Sequence, residues 1–130
     1  NIQKGVVIMI VQNMHSLRSG KPVVKQFIIK INGLTIFQSY SSVIAVTKWN
    51  MENILLDPAV YNYSPTTSKY LYQFLGFKKE GIEERRKNGS LLFTSLNDPS
   101  YNRYEDGQFI DLYKYVNSLI DTIPPVAVSK

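Results

Sequence analysis

The 130-residue chain has no cysteine, a single histidine and, over its first 51 residues, no acid. Lack of cysteine excludes a disulfide scaffold, a cysteine-ligated zinc finger and a thiol nucleophile, and it fits a reducing cytoplasm. One imidazole, His15, excludes the common paired-histidine metal sites and makes any Ser-His triad depend on that residue alone. No metal and no cofactor is expected. No apolar run approaches the ~18 residues that cross a bilayer, so no membrane partner is expected either. Residues 1–11 lack the shape of a secretory signal, because the apolar stretch 6–11 runs at once into polar residues.

What is present describes one compact unit. A chain of 130 residues, 44% hydrophobic, reads as a single domain over 1–130. A domain of that size buries roughly two-thirds of its unfolded surface, enough for a core without metals or staples. Lys4-Gly5-Val6 is encodable by a purine-rich AAAGGAGU stretch, and Met9 follows at the separation expected of a ribosome-binding site. Translation is therefore expected to begin at Met9, with residues 1–8 an annotation extension; an N-terminal peptide containing Gly5 in protein from the natural host would contradict this.

Charge is unevenly placed. Residues 1–51 hold Lys4, Arg18, Lys21, Lys25, Lys30 and Lys48, which makes them +6. Nine basic residues against all ten acids leave the remainder at −1, together the +5 of the whole chain. One basic half attracts polyanions, because phosphate contacts release condensed counterions. From 69 to 87 six cations (Lys69, Lys78, Lys79, Arg85, Arg86, Lys87) meet three acids (Glu80, Glu83, Glu84). That stretch reads equally as a salt-bridged, solvated helix face, with Glu83 and Lys87 spaced i,i+4, or as a phosphate-facing surface.

The strand signals come first along the chain. The apolar run 6–11 is a buried strand or a helix remnant, which periodicity does not decide. Arg18-Ser19-Gly20-Lys21-Pro22 is a turn by composition. Residues 26–31 and 34–38 are β-rich runs joined by Asn32-Gly33, a pair that accepts the positive φ of a type I′ hairpin turn. Runs 42–47 and 53–56 extend the sheet, in an order the sequence does not reveal. Hydroxyl residues in 64–68 then supply a helix N-cap. Tyr70, Leu71, Phe74 and Leu75 form one apolar face, and Gly76 closes the helix. A second helix is expected from Lys79 to Asn88, ending at Gly89, then a strand over 90–96. An amphipathic third helix is expected over 109–120, ended by Pro124-Pro125. Strands first and helices later make an α+β fold with about three helices.

Nothing nominates an enzyme. His15 sits among Asn13, Met14 and Ser16 with no acid in the first 51 residues to orient it. Glu83 and Glu84 are adjacent on a helix, point apart and are flanked by cations. Asp98, Glu105, Asp106 and Asp111 lack the alternation of a calcium loop. Aromatics are the more suggestive signal. Nine Tyr, six Phe and one Trp make 12% of the chain, with many tyrosines beside cations, as single-stranded RNA binding needs. About half of them read as core or interface residues whose hydroxyl reaches water. Two short helices around Gly76 also outline a helix-turn-helix, although Gly81 weakens its recognition helix.

The run from Asn32 to Ala45 (NGLTIFQSYSSVIA), Leu56-Asp57, the YSPTTSKY of 63–70 and Phe74-Leu75-Gly76 resemble small accessory proteins of Gram-positive plasmids and phages. More narrowly, the chain resembles the PrgU-like family of enterococcal conjugative plasmids, continuously from about Met9 to the C-terminus. That resemblance implies a small PUA-like mixed sheet or pseudo-barrel, and a role in restraining expression of plasmid-encoded surface adhesins through RNA. It transfers no catalytic or binding residues.

The combined expectation is a non-enzymatic, cytoplasmic RNA-binding regulator, with RNA favoured over DNA. Its phosphate contacts are expected from Arg18, Lys21, Lys25, Lys30, Lys69, Lys78, Arg85 and Arg86, and its stacking rings from Tyr40, Tyr63 and Tyr70. A helix-turn-helix-like DNA-binding repressor and a protein-binding inhibitor from a mobile element are the alternatives.

Overall fold

The computed structural model describes residues 9–31, 33–48 and 53–97. Their six strands form one sheet whose spatial order is the chain order. The strands are β1 (Met9–His15), β2 (Pro22–Ile31), β3 (Leu34–Ser39), β4 (Ser42–Lys48), β5 (Ile54–Leu56) and β6 (Leu91–Phe93). Between β5 and β6 come α1 (Pro65–Leu75) and α2 (Lys79–Asn88). The first five strands are an antiparallel meander; β6 returns parallel to β5, as a helical crossover requires. The third expected helix, over 109–120, lies outside the described residues.

Local chemistry sets each boundary. Ile31 pairs with Leu34 across the expected hairpin, and Gly33 takes φ 81°. The 6–11 run resolves in favour of the strand from Met9 onward, paired to β2. A bulge marks the β3–β4 ladder. Phe37 pairs with Ala45 but Gln38 with Val43, so Ile44 is the extra residue. Ile44 and Ala45 thereby both join the core that the helices cover.

Helix α1 starts at Ser64, whose Oγ accepts the Thr67 N–H at 3.1 Å, and stops at Gly76 with φ 84°. It buries Thr67, Tyr70, Leu71 and Leu75 against the sheet, and the Phe74 ring stacks on Phe37 at 5.6 Å. Helix α2 buries only Ile82. Each fully buried aliphatic such as Leu71 or Ile82 contributes roughly 1.5–3 kcal/mol. The alternate strand positions Ile29, Ile36, Val46 and Leu55 form the other face of the sheet and are also buried.

The α+β class stands as expected, but the pseudo-barrel does not. The sheet is open, with β1 and β6 as separate edges. Closure requires every strand to tilt and shear around an axis, whereas β5 and β6 have only three residues each. Helices laid on one face bury it without closing the sheet. The strand expected over 90–96 shortens to Leu91–Phe93. Beyond it, side chains take over the bonding: Asp57 Oδ2 accepts the Leu96 N–H at 2.9 Å, and Asn97 bonds both backbone groups of Val43. Among the described residues no helix is long and apolar enough to cross a membrane.

Candidate nucleic-acid interface

The polar side of α1 organises the candidate surface. Opposite its buried stripe, Lys69, Tyr72, Gln73 and Gly76 fall at i, i+3, i+4 and i+7, which is one face of a helix. The turn between β1 and β2 is brought against that face. Gln73 Nε2 donates to the His15 carbonyl at 2.8 Å, and the turn is closed by Ser16 N–H to Lys21 O at 2.9 Å and Gly20 N–H to Ser16 O at 2.8 Å. Ser16 Oγ accepts the Arg18 N–H at 3.1 Å, so the turn has a defined shape.

Between turn and helix lies a groove of about 550 Å³ lined by Leu17, Lys69, Tyr72, Gln73, Gly76, Phe77 and Lys78. Its floor is aliphatic and aromatic, and among the described residues its only charged lining groups are two ammonium groups, with no carboxylate or imidazole. Sites for small ligands are typically ~300–1,000 Å³ and mostly apolar with a few placed polar groups.

Of the cations expected to meet phosphate, Lys69 and Lys78 therefore converge on one groove. Arg18 and Lys21 lie in the turn on its other bank. Arg85 and Arg86 are committed elsewhere. The Arg85 guanidinium lies 3.8 Å over the Phe77 ring and donates to the Gly81 carbonyl at 3.3 Å. The Arg86 guanidinium lies 4.2 Å over Phe93 and pairs with Glu83 at 3.4 Å. Arg85 thus backs the groove through Phe77, while Arg86 fastens α2 to β6. Lys30 pairs with Ile10 and Pro22 with His15, so five residues of β1, about 17 Å at strand spacing, separate Lys30 from the turn, and it does not join them.

A second cluster sits at the start of α1. Ser39 Oγ and Thr67 Oγ1 are 3.1 Å apart, and Ser64 Oγ donates to Thr67 Oγ1 at 3.1 Å. Tyr40 follows Ser39 and Tyr63 precedes Ser64, so this contact holds both rings near one end of the helix, 52% and 55% exposed. The Tyr40 N–H donates to Lys25 O at 2.7 Å, which places Lys25 there too. Tyr70 is a correction. Its ring is 6% exposed and packs within the core, so it offers no face to a base; Lys69 Nζ lies 5.3 Å from the ring centroid. The apolar stripe of α1 claims that position.

Sequence reasoning missed Leu17, Tyr72, Gln73 and Phe77 as lining groups. Tyr72 and Gln73 carried a usable signal, being on the helical face of Lys69. Leu17 carried none; only the tertiary contact of the turn with α1 gives it a role. His15 contributes its backbone carbonyl, and its side chain is exposed. Among the described residues the carboxylates are Asp57, which is buried, and Glu80, Glu83 and Glu84 on α2.

The fold and groove define an α+β domain with a basic, ring-lined cleft beside an open sheet. By sequence the chain belongs to DUF8033, a family of unknown function, which matches residues 9–89. The matched segment contains every described residue that lines the groove. No curated protein and no solved structure matches the chain.

Proposed function

We propose that this protein is a non-enzymatic regulator that binds RNA in the cytoplasm. One observation carries the reading: Lys69 and Tyr72 of α1 meet Phe77 and Lys78 of the turn that follows it at one groove. Single-stranded nucleic acid is held by this combination, with cations tracking phosphates and rings accepting bases. The confinement of exposed acids to α2 among the described residues supports it, because the cations of β2, α1 and the β1–β2 turn then have no exposed acid on their own elements. The resemblance to PrgU-like proteins supplies the cellular context, restraint of plasmid-encoded surface adhesins.

The DNA-repressor alternative fares worse. Its recognition helix would be α2, where Glu80 and Glu84 are exposed and Arg85 and Arg86 are already stacked on Phe77 and Phe93. Filter binding with single-stranded RNA and with duplex DNA at two salt concentrations tests the choice. A steep salt slope on RNA is expected. Sequence-specific duplex binding would favour the repressor, and a partner protein retained through nuclease and high salt would favour an inhibitor.

A further inference from the structure

Resting on the RNA reading, we infer that the groove between the β1–β2 turn and α1 is a pocket for one unstacked base, so that the protein selects unpaired strands. Three features of the groove point there. Its lining is dominated by Leu17, Tyr72 and Phe77, which suit a flat aromatic ring and leave a phosphate little to bond. Its cations, Lys69 and Lys78, are the charged groups of the lining and can meet the phosphates on the two sides of an inserted nucleotide. Leu17 is 84% exposed on a turn otherwise built of polar residues and glycine, an apolar side chain kept at the mouth rather than in the core.

The rigidity of the walls favours a base over a flexible chain. Phe77 is held from behind by the Arg85 guanidinium at 3.8 Å and by Gly81, where a β-carbon would come within 2.7 Å of the ring. Tyr72 is set by α1, and the turn bearing Leu17 is tied to that helix by the Gln73 to His15 hydrogen bond. A preformed slot orders few groups on binding, which favours a rigid planar ligand. In a duplex the same base would first have to leave its stack, at a cost of a few kcal/mol. Selection for unpaired strands follows.

The test uses the full chain and three probes of equal length: an octamer of riboadenylate, an octamer with the same phosphates but abasic throughout, and a paired adenylate–uridylate duplex. Wild-type protein is expected to bind the riboadenylate about 5- to 150-fold more tightly than the abasic strand, the fold-change of one stacked base. Leu17→Ala and, separately, Tyr72→Ala are expected to shrink that ratio while leaving the salt slope on riboadenylate unchanged. Leu17 is so exposed that its variant keeps the fold, which a thermal melt checks. Equal affinity for intact and abasic strands, each with a steep salt slope, would overturn the base pocket and leave RNA binding standing. Tighter binding to the duplex would overturn it as well. No binding to any probe at low salt would remove the RNA reading itself.

Discussion

Gln26 is wholly buried, opposite Ser39 in the β2–β3 register, yet among the described residues neither its amide nitrogen nor its amide oxygen has a hydrogen-bond partner. A buried polar group without a partner costs about 1–3 kcal/mol. Gln26→Met keeps the length of the side chain and removes both orphans, so stability is expected to rise by about 1–3 kcal/mol. Urea unfolding reads this as a higher midpoint at an unchanged slope; a lower midpoint would mean that the amide is bonded in solution. Tyr40 is the second residue whose local chemistry runs against stability. Its φ of 56° puts a bulky side chain in the left-handed region, which costs about 1–2 kcal/mol. Glycine relieves that cost but adds about 0.4–1 kcal/mol of unfolded-chain entropy. Tyr40→Gly is therefore expected to gain about 0.5–1 kcal/mol, and to bind oligoribonucleotide about 5-fold more weakly if its exposed ring stacks on a base. Unchanged affinity would take Tyr40 out of the interface.

Among the elements, α2 shows why propensity alone misleads. Gly81 in a helix costs about 1 kcal/mol relative to alanine, which makes it look like a flaw in a recognition helix. The structure gives it a different role, since a β-carbon there would lie 2.7–2.9 Å from Phe77 side-chain atoms. Overpacking of that kind costs typically about 1–3 kcal/mol. Gly81→Ala is thus expected to lower stability by about 1 kcal/mol net despite the better helix former, with a matching fall in the thermal midpoint; a higher midpoint would show that Phe77 moves freely. The ends of both helices were legible at Gly76 and Gly89, and the second helix spans 79–88 as expected, whereas the start of α1 was legible only as one of the hydroxyl residues of 64–68, of which the structure uses Ser64. The shortness of β6 was not, because it depends on Asp57, 39 residues from Leu96, taking that residue's N–H.

At the scale of the molecule, eight cations that look alike in sequence divide by position. Lys69 and Lys78 face the groove, Arg18 and Lys21 sit on its bank, Lys25 lies at the far end of α1, Lys30 stands apart, and Arg85 and Arg86 are engaged with rings. Each phosphate contact to a single strand adds roughly 0.7 to the magnitude of the salt slope. Lys69→Ala with Lys78→Ala is expected to lower that magnitude by about 1.4, while Lys30→Ala leaves it unchanged. Arg86→Ala is expected to reduce stability and not the slope, because its guanidinium packs on Phe93 and pairs with Glu83. An equal loss of slope from all four changes would mean that binding is spread over the whole charged surface.

Local order was encoded in neighbouring residues: the Asn-Gly hairpin signal, the hydroxyl cap, the glycine stops and the apolar stripe of α1 each act within a few positions, so the chain specifies them unaided. Strand order, the open rather than closed sheet, the loss of Tyr70 to the core and the meeting of Leu17 with Lys78 were decided by packing. Those features depend on contacts between residues tens of positions apart, and a linear pattern carries no record of which distant side chains will fill the same space.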